Sequence, residues 1–464
     1  MFDLSAFSSQ TACITSDNQA FSYQDISLLV ERVAQYPTSH SLIFVMCGNT
    51  IGSLIGYLAF LQADCVSLLL NKDIDSSSLE KLENTYCPAY LWLPDYQAAN
   101  YPNLRKCYSI CGYTLLKYLG ESHKMPDKLA LLLTTSGSTG SPKLVRLSKE
   151  NLMSNARSII TYLKITGEDR PITSLPMYYS FGLSVINSHL VSGATILLTD
   201  YSYIQKEFWD FAAEKELTSF SGVPFTYELL KKIKFWNKSL PTLRTLTQAG
   251  GKLNNALLEF FVMNARDRNV DFYLMYGQTE ATARMSYLPC EYALNKLGSI
   301  GVAIPGGTFE LKNDLGDLIT TPHVVGELVY SGDNVGLGYA ECLDDLMKGD
   351  DNNGILSTGD LAYFDQDGFY FIAGRKKRFL KLFGNRISLD YTENLLKQIC
   401  NECVCVGTDN KMIIYVTTEG KSTEIITFLS NTTKLNRVAF EVRFISDIPR
   451  SDTGKILYSE LSIV

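Results

Sequence analysis

Four apolar, β-favouring runs punctuate the chain: SLIFVM at 41–46, LALLLTT at 129–135, ATILLT at 194–199 and DFYLMY at 271–276. They read as buried strands, and the segments between them carry apolar residues at helical spacing. The alternation predicts an α/β fold with helices packed on sheets. Ser148 reads as a helix N-cap before ENLMSNARSIITYLKI, which places the Gly/Ser-rich stretch just upstream between a buried strand and a helix. Residues 51–70, IGSLIGYLAFLQADCVSLLL, are nearly long enough to cross a membrane, but Gln62 and Asp64 interrupt them. A buried helix followed by a strand is the better reading. The alternating segment CVCVG reads as another buried strand, so Cys400, Cys403 and Cys405 are expected to be buried thiols, not metal ligands.

At 464 residues the chain exceeds one compact core, and two domains are expected. The reading is a large, multi-subdomain N-terminal domain of β-sheets layered by helices, at 1–377, plus a small mobile α+β C-terminal domain at 378–464. The boundary falls at Lys377, in the charged stretch GRKKR, which reads as a solvated connection. A composition 46% hydrophobic and 20% charged describes a folded globular protein. The net charge of -7 argues against nucleic-acid binding, which needs a basic face. Eleven irregularly spaced cysteines and the absence of a basic, apolar leader at the start predict a reduced, cytoplasmic protein without a membrane span.

The segment richest in chemistry is TTSGSTGSPK, Thr134 to Lys143. Small, hydroxylated and glycine residues let backbone N–H groups and hydroxyls close around phosphate oxygens, with a lysine to follow. It is not a Walker P-loop, because Ser141 and Pro142 separate Gly140 from Lys143. YGQTEAT at 276–282 follows a strand and combines an aromatic face, the Thr279 hydroxyl and the Glu280 carboxylate, a group suited to Mg²⁺. Downstream, LSTGDLAYFDQDGFYFIAGRKKR and PRSDTGKI add Asp360, suited to ribose hydroxyls, with Arg375 and a glycine-flanked Lys455.

In this order, these segments resemble the adenylate-forming superfamily of acyl-CoA synthetases, non-ribosomal peptide adenylation domains and firefly-type luciferases. The resemblance runs from FSYQDI at 21–26 through LPMYYSFGLS, SGVP, LRTLTQAGGKL and GELVYSGDNVGLGY to Lys455. It implies an AMP-forming acid–thiol ligase that uses ATP and Mg²⁺, makes an acyl-AMP with loss of pyrophosphate, and passes the acyl group to CoA or to a carrier-protein phosphopantetheine. It also implies residue roles. Thr135, Ser136, Gly137, Ser138, Thr139, Gly140 and Lys143 would hold the β- and γ-phosphates. Gly250, Gly251 and Tyr276 would sandwich the adenine and Asp360 would bind the ribose. Thr279 would contact the phosphates, Glu280 the metal, and Arg375 would steady the nucleotide. Lys455 would bridge the carboxylate and the α-phosphate, and Lys377 would be the hinge of the small domain.

Tyr179, Gly182, Ile186, Ala249 and Met275 fall where such relatives line the acyl pocket. Amino-acid-activating relatives carry an Asp where this chain has Gly182, and without that carboxylate an α-ammonium would be buried unpaired, so an organic, aryl or fatty acid is expected. Bulky Met275 suggests a shallow pocket and a short acid. Tyr179 stands where acyl-CoA synthetases usually have histidine, Leu144 where glycine follows the loop lysine, and Leu274 where an asparagine often precedes the tyrosine. Competing readings are a non-catalytic nucleotide-binding relative, an oxidative luciferase-like use of the acyl-AMP, and a kinase making an acyl phosphate. Retention of Thr279, Glu280, Asp360, Arg375 and Lys455 favours the enzyme.

Overall fold

A computed structural model describes residues 4–120, 123–134, 143–376, 378–383, 385–400, 402–408, 410–450 and 456–461. The chain divides into two compact units, the first built from residues up to 308 together with 331–356, the second from 309–330 and 357–464.

In the first unit, Leu42–Cys47 is buried at every residue because parallel strands Val66–Asn71 and Tyr90–Pro94 flank it in the middle of an eight-stranded sheet. Helix Ile51–Gln62 covers that sheet. Thr50 caps it by accepting from the Ser53 N–H, and Gly52 through Leu61 are all buried. Gly52 and Gly56, one turn apart, let Trp92 lie against the helix backbone: its indole N–H donates to the Gly52 carbonyl at 2.9 Å, and a Cβ at Gly56 would stand 2.3 Å from the same nitrogen. The near-membrane-length segment is thus a core helix followed by strand Val66–Asn71, as its interrupting polar residues predict. Among the described residues no helix is long and apolar enough to cross a membrane.

Ser148 caps helix Lys149–Leu163, and the Asn151 side chain returns a bond to the Ser148 N–H at 2.9 Å. One expectation is corrected here. The Gly/Ser-rich stretch does not run straight into that helix, because strand Leu144–Leu147 intervenes and pairs antiparallel with Leu131–Thr134. The run LVRL was hidden by its arginine, which the fold buries completely. Arg146 donates to the carbonyls of Leu337, Tyr339, Lys348 and Gly349 at 2.7–3.1 Å and pairs with Asp351, fixing the strand to the segment that follows 336. Thr135 to Gly140 lie outside the described residues, with Ser141 and Pro142.

A second, five-stranded sheet of this unit aligns Ser219–Gly222, Thr245–Gln248 and Asp271–Tyr276 in parallel, then Ser286–Leu288 and Val302–Ala303 in antiparallel. The parallel strands end on the same edge, where sheets of this kind bind ligands. Val223–Pro224, Ala249–Gly251 and Gly277–Glu280 leave the sheet there.

The second unit holds a four-stranded sheet of Gly307–Lys312, Gly326–Gly332, Ile355–Phe364 and Tyr370–Arg375. Its C-terminal part is α+β, as expected: hairpin Phe379–Leu382 and Asn385–Ser388, a sheet of Cys403–Thr408, Lys411–Val416 and Phe440–Phe444, and helices Leu389–Leu396 and Ser422–Thr433. CVCVG is indeed a strand, with Cys405 buried. Lys377 lies outside the described residues, and the second unit includes strands on both sides of it. GRKKR is not simply a solvated connection. Arg378 is largely buried and pairs with Asp390 and Glu393, while its guanidinium also reaches the Tyr458 hydroxyl at 3.0 Å.

Replacing Arg146 by Met strands four backbone carbonyls and the Asp351 partner. The expected loss of stability is about 3 kcal/mol, read as a lower midpoint in chemical unfolding.

Candidate active site

One of the sheet-edge loops is a sharp turn. After Tyr276 the chain doubles back so tightly that a Cβ on Gly277 would stand 1.8 Å from the Ala283 carbonyl oxygen. Only glycine fits, and the requirement is steric, since Gly277 lacks the positive φ seen elsewhere. Thr282 closes the turn at φ +68, a region β-branched residues avoid, and three contacts hold it there. Its hydroxyl donates to the Asn334 carbonyl at 2.7 Å, its N–H to the Thr279 carbonyl at 2.9 Å, and the Asn334 amide donates to the Ala281 carbonyl at 2.9 Å.

The turn presents Thr279 and Glu280 together. The Thr279 hydroxyl stands 3.2 Å from that of Ser180 at the start of helix Ser180–Val191, and the Gly336 N–H donates to the Glu280 carbonyl at 2.8 Å. The Glu280 carboxylate accepts from the Tyr339 hydroxyl at 2.7 Å. Burial, then the charge of Glu280, raise the Tyr339 phenol above its ordinary range, so it remains a neutral donor. Lys143 lies over the Tyr339 ring at 5.0 Å and pairs with Glu341 at 2.7 Å. Both charges of that pair are roughly half exposed, so it contributes little stability. Tyr339, Glu341 and Ser180 were not singled out from the sequence. Tyr339 and Ser180 had a signal, at the end of GELVYSGDNVGLGY and within LPMYYSFGLS, and Glu341 had none.

Gly250 adopts φ +83, which suits glycine, and a Cβ there would stand 2.7 Å from the Tyr179 hydroxyl. Tyr179 therefore packs on the glycine pair from across the edge, and burial pushes its phenol up to about 12. Gln248 ties this loop down by donating to the carbonyls of Ala249 and Gly251 at 3.0 and 2.9 Å, while its side-chain oxygen is buried without a protein donor. Tyr276 is half-buried at the end of the neighbouring strand, where the Gln278 amide donates to its hydroxyl at 3.3 Å.

The expected pocket residues separate. Ala249 and Met275 are buried at the strand ends, and the Met275 sulfur accepts from the Tyr162 hydroxyl at 3.0 Å. Ile186 joins the hydrophobic core with Leu183 and Leu190. Gly182 is closed off, since a Cβ there would stand 2.2 Å from the Pro176 carbonyl oxygen and 2.9 Å from that of Leu175. No side chain fits at 182, carboxylate or otherwise.

In the second unit, Asp360 and Arg375 are direct cross-strand partners, with Arg375 Nε 3.4 Å from the Asp360 carboxylate. Asp360 is buried and Arg375 exposed, and Gly359, at φ +72, bends the strand just before them. Lys455 lies outside the described residues.

The donors fit a magnesium nucleotide. Mg²⁺ needs one or two carboxylates and takes its other oxygens from phosphates and water, and Glu280 beside the Thr279 hydroxyl meets that requirement.

A family profile described as AMP-binding enzyme matches residues 4–340. The 2-succinylbenzoate–CoA ligase of Bacillus cereus (strain AH820) is 26% identical over 434 residues, covering 90% of this chain and 87% of that one. The enzyme of the same name from Bacillus thuringiensis subsp. konkukian is 29% identical over 344 residues, 71% and 69% of the two chains. Among solved structures, O-succinylbenzoate coenzyme A synthetase from Bacillus subtilis in complex with AMP superposes with a TM-score of 0.80 at 20% identity, covering 98% of this chain and 96% of that one. ATP-bound MatB from Rhodopseudomonas palustris gives 0.79 at 20% identity, covering 97% and 94%. These structures share the large and small domains of the expected fold.

Gly277→Ala forces the turn open. The expected cost is about 2–3 kcal/mol, seen as a lowered melting temperature together with loss of the stabilisation that Mg-ATP confers on the wild type.

Proposed function

The chain belongs to the AMP-binding enzyme family and is an ATP-dependent, AMP-forming acid–thiol ligase; from that premise we propose that its acid is a carboxylic acid without an α-ammonium group and that its thiol acceptor is coenzyme A. The observation that carries the acid class is the Pro176 carbonyl occupying the space beside Gly182. No carboxylate can be placed there, and an α-ammonium brought into a buried pocket would lack its counter-charge. Coenzyme A is favoured by the names of the relatives, which are CoA ligases. The eleven cysteines, all free, fit work in a reducing compartment, and we read the enzyme as cytoplasmic.

A carboxylate is a poor acyl donor because its leaving oxygen is anionic. The enzyme activates it by letting it attack the α-phosphate of ATP, forming the acyl-AMP and expelling pyrophosphate. Gly250, Gly251 and Tyr276 take the adenine in this reading, with Tyr179 limiting the glycine side. Thr279 offers its hydroxyl to the phosphates, and Lys143 leaves Glu341 for them. Glu280 would hold Mg²⁺ together with the phosphates, and the bound ion would screen the repulsion between the two anions. Asp360 binds the ribose, with Arg375 beside it. The loop Thr135 to Gly140, the catalytic Lys455 and the hinge Lys377 keep the roles that the resemblance assigns them.

The test is pyrophosphate release with Mg-ATP over short, aryl, fatty and amino acids, with hydroxylamine to trap the acyl-AMP. Release with organic acids, lowered about 100-fold or more in Lys455→Ala, is expected. Release with amino acids alone would sink the acid-class proposal. Glu280→Gln is expected to raise the Mg²⁺ concentration needed for half-maximal rate. With the acid identified, CoA is expected to yield the acyl-CoA.

A further inference from the structure

Helices Lys149–Leu163 and Ser180–Val191 of the first unit pack against each other, and their facing surfaces are not wholly apolar. Ser180, Ser184 and Asn187 recur at i, i+4 and i+7, the spacing of one helix face, and Asn155 lies opposite on the other helix. With Thr282 they line a cavity of about 10 Å³, room for one water molecule. Dry cavities are apolar, and this one is not.

The directions of its two amides are fixed by their outer partners. Asn155 Nδ2 donates to the Arg284 carbonyl at 2.8 Å, which leaves Oδ1 for the cavity; that oxygen is buried and has no donor among the described residues. Asn187 is turned the other way. Its Oδ1 accepts from the Tyr57 hydroxyl at 3.1 Å, so Nδ2 is the end left for the cavity, and it makes no hydrogen bond among the described residues. Both residues are buried, at 1% and 3% exposure, where an unmet amide is costly. Ser184 needs nothing more, since it donates to the Phe181 carbonyl at 2.7 Å and accepts from Arg284 Nε at 3.1 Å. Ser180 does have capacity to spare: its hydroxyl meets that of Thr279 at 3.2 Å, and a hydroxyl oxygen can accept twice while donating once.

We propose that one water molecule occupies this cavity as a fixed part of the site, and that Asn155 and Asn187 act through it as positioning residues for Thr279. The inference rests on the reading above in which Thr279 offers its hydroxyl to the phosphates of ATP. The water accepts from Asn187 Nδ2 and donates to Asn155 Oδ1, and its second proton goes to the Ser180 oxygen. Three bonds are the usual number for an enclosed water. Ser180, accepting from the water, donates its own proton to the Thr279 oxygen. Thr279 then keeps its proton for the phosphates, whose oxygens only accept. A chain of donors so polarised runs from Asn187 to the nucleotide, and each bond strengthens the next. When the water is displaced, Ser180 and Thr279 can exchange roles, and in one of the two arrangements the Thr279 proton is spent on Ser180.

The test begins with a high-resolution crystal structure of the wild type. A water within hydrogen-bond distance of Asn155 Oδ1, Asn187 Nδ2 and Ser180 Oγ is expected, and a dry cavity overturns the proposal. Kinetics then test the positioning. Asn155→Leu keeps the branching of the side chain, and the Arg284 carbonyl that it abandons retains the Asn334 amide at 3.2 Å. In pyrophosphate release this variant is expected to raise the KM for Mg-ATP about threefold to tenfold while leaving the KM for the acid unchanged. In a Ser180→Ala background the same substitution is expected to change the KM for Mg-ATP by less than about twofold, because the chain it feeds is already cut. An equal effect in both backgrounds is what a merely structural role gives, and it would overturn the proposal, as would an unchanged KM in Asn155→Leu. Melting temperatures without nucleotide show whether Asn155→Leu folds; where it does not, Asn187→Ala takes its place in the same cycle. Thr279→Ala separates the proposal from the reading beneath it. A Thr279→Ala enzyme with the wild-type KM for Mg-ATP would overturn the phosphate contact of Thr279, and the positioning role with it, whatever the cavity holds.

Discussion

The site depends on one close approach, the backbone of Ala283 passing where a side chain at Gly277 would be. That approach lets the chain leave the parallel sheet at Tyr276 and return at Ser286 within a few residues. The return limb then becomes the next strand, antiparallel to the first. The short path forces Thr282 into a left-handed conformation, and Asn334, brought from far along the chain, holds it there. Thr279, Glu280 and Arg284 owe their positions to this turn. Strain at a functional turn is tolerable when several hydrogen bonds over-determine it.

The charged groups of the two units are held to different degrees. The Lys143–Glu341 pair is half exposed, so breaking it costs little. Glu280 is steadied by a single phenol and retains acceptor capacity for a metal. Asp360, in contrast, is buried opposite its arginine in the strand pair, which fixes the carboxylate. Arg146 is locked by five partners and serves the scaffold. Arg284 is as deeply buried, and its hydrogen-bond partners among the described residues are the Ser184 and Tyr162 hydroxyls and the Met275 sulfur.

Gly182 shows how one residue supports a functional argument for two reasons. Its lack of a carboxylate bears on the substrate, and the nearby Pro176 carbonyl shows that the lack is built into the packing of the helix start. Ile186, one turn further along, serves the core instead of the pocket. Spacing alone could not separate these two roles, because both residues share a helix face and only the neighbours across it differ.

The sequence by itself determined the elements and the chemistry that local pattern encodes. Apolar runs marked the strands, Ser148 its helix, and the ordered motifs the family, with Asp360 and Arg375 in one stretch that the hairpin then pairs. It missed strand Leu144–Leu147 because a buried arginine interrupted the apolar pattern. Tertiary structure alone decided the contacts between residues distant in sequence: Tyr339 on Glu280, Glu341 on Lys143, Asn334 on Thr282, and Ser184 and Tyr162 on Arg284. A hydrophobic period reports which face of an element is covered, and only the folded chain settles which charge meets which partner.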